Sequence, residues 1–254
     1  MRVCRPGIIL AAALIFVSAA APSAAQQAAA KLPSTEDEMV KVVFRSRMPG
    51  IPAEHTDAKP KTLYRVGERW GRLEHPDNPV LHPLVIVASP DVWFVDLRKK
   101  IARHSLDPGP RYAFRAPIVE RVAPDFPPAL LDFEFGRELE FMEAHGAKPH
   151  RTKEQRTKGK SEPALDVYEI EIDGVNIAVS AIPDTKQVHS VLLYRDKKTV
   201  IAAYLYDEYL RGPAEPALFA LPAGIQVVEE AGVEGTKPKA QPETKAKKSN
   251  KPKK

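Results

Sequence analysis

The chain has 254 residues, a single cysteine, 38 Lys and Arg against 33 Asp and Glu, and a formal net charge of +5. Arg2 and Arg5 account for +2 of that and the last twenty residues for +7, so residues 26–234 carry −4; a nucleic-acid partner, which needs basic surface on the folded body, is excluded. With Cys4 as the sole cysteine, no disulfide and no thiol chemistry are expected, and stability must come from packing.

The N-terminus reads as a secretory signal peptide over residues 1–25. Arg2 and Arg5 precede an apolar run, Ile8 to Val17, and Ser23-Ala24-Ala25 supplies the small residues of a cleavage site. The run is too short to span a bilayer, which needs about 20 apolar residues. Cys4 lies before the run rather than after it, so the signal is not of the lipoprotein kind. A periplasmic location follows, with one β domain over residues 34–232 and a disordered Lys/Pro-rich tail at 233–254.

Ser34-Thr35-Glu36-Asp37 has the look of a helix N-cap with an acidic first turn. A strand over Lys41–Arg47 ends at "MPGIP", Met48 to Pro52. "TLYRV", "RWGRLEH", "LVIVAS", "VWFVDL" and "KIARHSL" then follow at the spacing of an all-β meander, closed by Asp107-Pro108-Gly109-Pro110. Val92-Trp93-Phe94-Val95 is apolar without alternation, so this strand needs cover on both faces. Residues 136–144 are predicted as a helix stopped by Gly146 and Pro149, and 148–163 as an exposed basic loop.

In "DVYEIEIDGVNIAVSAI", residues 166–182, Tyr168, Ile170 and Ile172 alternate with Glu169 and Glu171, the period of a half-buried strand. Asp173-Gly174 marks a two-residue type I′ hairpin that pairs Ile172 with Val175. A second hairpin turns near Asp196-Lys197, and the four strands form another meander. The fold class is therefore mainly β with a few helices, built on antiparallel strands.

Catalytic signals are sparse. The seven histidines, His75 and His82 among them, make no HExxH or i, i+4 pair; no GxSxG, Walker or GxGxxG motif occurs. No enzyme, metal or cofactor is expected. A hydrolase of envelope polymer would need groups such as Glu138 and His145 to converge on one pocket.

Three stretches, "LYRVGERWGRLE", "VASPDVWFVDLRKKIARHSLDPGP" and "LYDEYLRGPAEPALFALPAGIQVVE", resemble the LolA/LolB-like family of periplasmic carriers over roughly residues 38 to 230. The helix around "FEFGRELEFM" and loop 148–163 fall outside that pattern. The resemblance implies a curved antiparallel sheet, an incomplete β-barrel with a helical lid over an apolar cavity. On that reading the partner is the acyl chain of a lipid or lipoprotein, and Phe44, Trp70, Val87, Trp93 and Val95 are the residues expected to line the cavity. The Lys tail offers a second contact, with an anionic membrane or cell-wall surface. The alternative is a non-catalytic envelope interaction or sensor module of the same fold with a filled hollow and no lipid cargo.

Overall fold

The computed structural model describes residues 32–76, 78–106, 114–119, 126–153, 155–157, 160–196 and 199–229. The expected signal peptide, the Asp107–Pro110 turn and the Lys-rich tail lie outside the described residues. The strands are β1 (Glu38–Ser46), β2 (Lys61–Val66), β3 (Trp70–Glu74), β4 (Pro83–Ala88), β5 (Asp91–Asp96), β6 (Ile101–Leu106), β7 (His150–Arg151), β8 (Gln155–Thr157), β9 (Lys160–Glu162), β10 (Asp166–Ile172), β11 (Val175–Ala181), β12 (Val188–Arg195), β13 (Thr199–Pro213) and β14 (Gln226–Glu229), with one α-helix, α1 (Glu138–Ala144). Twelve strands form one open sheet in the order β14-β6-β5-β4-β3-β2-β1-β13-β12-β11-β10-β7. The β14–β6 pairing alone is parallel among those ladders.

The two meanders, β2–β6 and β10–β13, are joined because β1 pairs with β2 on one side and the long β13 on the other. Local chemistry sets the hairpins. Asp173 and Gly174 have φ of +47° and +77°, the paired left-handed conformations of a type I′ turn, and Ile172 faces Val175 as expected. Bulges at Val43/Phe44, Ser180/Ala181 and Leu193/Tyr194 bend the strands that carry them. The sheet does not close into a barrel: β14 and β7 stand at its two ends.

Side chains alternate across a strand, so register sorts them into two faces. One cross-strand row on the inner face runs Tyr209, Val42, Leu63, Leu73, Val85, Phe94, Arg103, Val228. An outer-face row runs Lys41, Tyr64, Arg72, Ile86, Trp93, His104. On β10–β12 the inner face is sealed, while β13 also borders a cavity. α1 packs on β10 and β11, and Tyr168, Ile177, Val179, Leu193, Leu130 and Met142 are buried together. On β3 and β4 it is the outer face that is covered, by the 3-10 turn Pro216–Phe219. Phe219 packs there with Met39, Val66 and Ala214, and Arg72 Nη1 donates to the Leu218 carbonyl at 2.9 Å. The apolar tetrapeptide on β5 is thus divided: Trp93 and Val95 are buried on the outer face, while Phe94, on the inner face, is 53% exposed.

Two segments differ from expectation. Ser34–Asp37 makes the anticipated cap contacts, Ser34 N to Asp37 Oδ2 at 2.7 Å and Glu36 N to Ser34 Oγ at 3.2 Å. They close a turn rather than a helix, because the β1 ladder with β13 starts at Glu38. The described residues of 148–163 form short strands rather than a loop. β7 pairs with β10, Thr152 N and Oγ1 both donate to the Leu165 carbonyl, and β8 pairs with β9.

Candidate functional site

Two non-helical segments, 114–119 and 133–137, joined by the isolated bridge Pro117–Glu134, cross the inner face over β2 and β3. They are held to each other by Ile118 N donating to the Phe133 carbonyl and Phe135 N to the Ala116 carbonyl, both at 2.9 Å. A buried arginine holds them to the sheet. Arg65, on β2, is 2% exposed. Its Nε donates to the Gly67 carbonyl at 3.1 Å, Nη1 to the Phe135 carbonyl at 3.1 Å, and Nη2 to the Phe114 carbonyl at 2.9 Å and to Glu134. Glu134 is equally buried, also pairs with Arg115, and accepts from Ala116 N at 3.3 Å. Each of the three nitrogens of the Arg65 fork is directed at an acceptor, the condition under which a buried charge is tolerated.

Phe135 stacks on Phe44 with centroids 3.9 Å apart and meets Tyr204 edge-on at 5.0 Å. Phe114 lies over Gly71, where a Cβ would overlap its ring. Beside these contacts the two segments leave a cavity of about 440 Å³. Its floor is Phe44, Leu63, Leu73 and Val85 of the sheet; its roof is Phe114, Ile118 and Phe135; Tyr204 and Ala202 form a side. Lys61, His75 and Arg115 complete the wall. The cover over the cavity is non-helical chain with a turn at Phe135–Gly136; α1 sits further along, on β10 and β11.

Of the five residues expected to line a cavity, Phe44 does so. Val87 shares its face but lies opposite Gly71, in the packed core. Trp70, Trp93 and Val95 are on the other face of the sheet, as register requires. Trp70 packs against the Met39, Val66 and Phe219 cluster. Trp93 stacks on His104 at 5.4 Å, and His104 Nε2 meets Asp91 Oδ1 at 2.7 Å. Leu63, Leu73 and Val85 line the cavity as well, and counting by twos through the β2–β3 and β3–β4 hairpins from Phe44 leads to them. The roof residues carry no such signal.

Glu138 is the most perturbed carboxyl near the site. It is fully buried, and burial pushes it up from the ordinary 4.5 to about 7. Tyr206 Oη donates to its Oε1 at 2.6 Å and Gly136 N at 2.8 Å, while Oε2 has no partner. Tyr209 Oη donates to the Gly136 carbonyl at 3.2 Å, and Tyr206 is itself driven well above the usual phenol range by burial and by Glu138. This cluster is sealed behind Gly136 and contributes nothing to the cavity wall. His145, its ring against Phe141 at 4.2 Å, lines a separate cleft with Glu134 and Arg137. The two groups a hydrolase would need do not converge.

No family model matches the sequence, and no curated protein matches it. Among solved structures, the chain is similar to an uncharacterised conserved protein of Thermus thermophilus, at 12% identity and a TM-score of 0.41, over 77% of this chain and 93% of that one. It is similar to a chain of the Pseudomonas aeruginosa MucA/MucB complex, at 14% identity and 0.34, over 76% of this chain and 58% of that one. A LolA superfamily protein of Nitrosomonas europaea is a third, at 8% identity and 0.27, over 73% and 90%. The function of the cavity is therefore read from the residues that build it.

Proposed function

We propose that the protein is an exported, non-catalytic binding protein that holds an apolar, acyl-bearing ligand, a lipid or the lipid part of a lipoprotein, between the sheet and its cover, in a carrier role in the periplasm. The observation that carries this reading is the cavity of about 440 Å³ with an aromatic and aliphatic lining. Its size lies within the ~300–1,000 Å³ of small-molecule sites. Each buried CH₂ contributes about 0.8 kcal/mol, so a chain of ~16 carbons reaches on the order of 12 kcal/mol before ordering costs. Apolar contact alone then suffices for useful affinity.

Organic extraction of the purified full-length protein followed by mass spectrometry tests the proposal. Co-purifying acyl species in defined ratio to protein support it. Extracts without them, together with no saturable fatty-acid binding, overturn it.

A second reading, an envelope interaction module without cargo, is favoured by one feature. The outer face of β10–β13 carries the row Glu169, Ala178, Leu192, Ala203, none of them buried and Leu192 38% exposed. The Lys tail would add a contact to anionic membrane or cell-wall polymer, which screening by salt weakens. Vesicle binding that survives deletion of residues 235–254 contradicts that contact.

A further inference from the structure

Apart from the Tyr204 phenol, the ionisable side chains of the cavity wall are all basic types. Lys61, His75 and Arg115 line it, and no carboxylate is among its described lining residues. Two of the three sit together. Lys61 is the first residue of β2, next to Phe44 in the ladder. The Thr62–Glu74 pair of the β2–β3 ladder sets Lys61 against His75 one residue further on. His75 is fixed there by its backbone N–H, which donates to the Pro83 carbonyl at 3.0 Å. Both side chains therefore stand at the end of the inner face where β2 begins and β3 stops, with the apolar floor of Phe44, Leu63 and Leu73 running away from them.

Three other cations near the sheet hold short ionic contacts. Arg115 is occupied by the Leu131 carbonyl at 2.8 Å, Asp132 and Glu134, so it serves the cover. Lys41–Glu208 and Arg45–Asp207 are each 2.6 Å and lie on the outer face. Lys61 meets Asp57 at 3.3 Å, and Asp57 is 51% exposed. An exposed pair of that kind contributes little, so a better-placed anion can replace it. An ammonium and an imidazole at the mouth of an apolar slot match an anionic oxygen group joined to a hydrocarbon tail, since charge-assisted hydrogen bonds are about twice as strong as neutral ones.

Building on the cavity reading above, we infer that the ligand is an anionic amphiphile, its carboxylate or phosphate held by Lys61 and His75 and its tail lying over Phe44, Leu63 and Leu73. A neutral acyl chain gains only the apolar part of this site.

The test is displacement of the neutral fluorescent probe N-phenyl-1-naphthylamine from the full-length protein. The competitors are palmitate, 1-palmitoyl-lysophosphatidate and hexadecanol, each below its aggregation concentration. The expected result is that at least one anion displaces the probe at about tenfold lower concentration than hexadecanol. Lys61→Gln combined with His75→Gln should close that gap by weakening displacement by the anions more than by hexadecanol, and 0.5 M salt should narrow it. Whichever anion is the stronger identifies the head group as carboxylate or phosphate. Equal displacement by all three overturns the inference and leaves the cavity reading standing. A preference that persists in the double variant overturns the assignment to these two residues. Failure of the probe and of every competitor to bind removes the cavity reading itself, and the inference with it.

Discussion

The two meanders of this sheet solve the same problem in opposite ways. In β10–β12 the inner face is closed by α1 and the turn Pro128–Asp132, and the outer face meets water through Glu169, Glu171 and Leu192. In β2–β5 it is the outer face that is closed, with Leu84, Ile86 and Val95 at most 3% exposed. With that core already made on the outer face, the inner face of β2–β4 is free to remain part hollow under the two covering segments. A sheet buried once is stable; buried once and then roofed, it acquires a container.

The comparison breaks most readily at Arg65. Arg65→Ala leaves Glu134 buried beside the exposed Arg115 alone and frees the Phe114 and Phe135 carbonyls. A loss of about 3–5 kcal/mol in denaturant unfolding is expected, with the roof detached. Truncation in the closed half sharpens the contrast. Leu193→Ala, at a fully buried inner-face position, should cost about 2–5 kcal/mol and leave probe binding alone. Leu73→Ala, on the half-buried cavity floor, should cost less stability and weaken binding more.

Glu138 makes stability depend on pH. Its folded value, about 7, lies above the ordinary 4.5 because of burial, so between those values the folded protein holds more protons than the unfolded chain. The contribution of this group to stability is then greatest below pH 4.5, falls as pH rises towards 7 and levels off beyond, by on the order of 3 kcal/mol in total. Glu138→Gln should flatten that part of the profile in urea titrations between pH 5 and pH 8. A wild-type profile without the decline would show that the carboxyl reaches solvent or a cation on opening. The smallest effect expected is that of Gly71→Ala, whose Cβ displaces the Phe114 ring at a cost of about 1–3 kcal/mol, read as a drop in Tm accompanied by altered probe affinity.

Much of the fold was legible because alternation and turn residues are local signals. The strand expectations at "TLYRV", "LVIVAS" and "VWFVDL" match β2, β4 and β5 to within about a residue, and Asp173-Gly174 announced its own turn. The site was legible only in part. Apolar character does not say which face a residue occupies when both faces are covered, so Trp70, Trp93 and Val95 were grouped with Phe44 although register sends them to the opposite side. Phe114 and Phe135 reach the cavity from outside the sheet, fixed by the Arg65 fork, and no periodicity encodes such a crossing. Lys61 and His75 are joined by hairpin register across intervening residues, a pairing invisible to motif spacing.

The most direct measurement is titration of N-phenyl-1-naphthylamine into the wild-type protein, Val85→Trp and Leu192→Trp. Val85 lies on the cavity floor and Leu192 on the bare outer face. Saturable binding to the wild type and to Leu192→Trp, lost in a Val85→Trp variant that keeps its melting temperature, is the predicted result. Unchanged binding to Val85→Trp, or none to the wild type, would contradict a ligand held between the sheet and its cover.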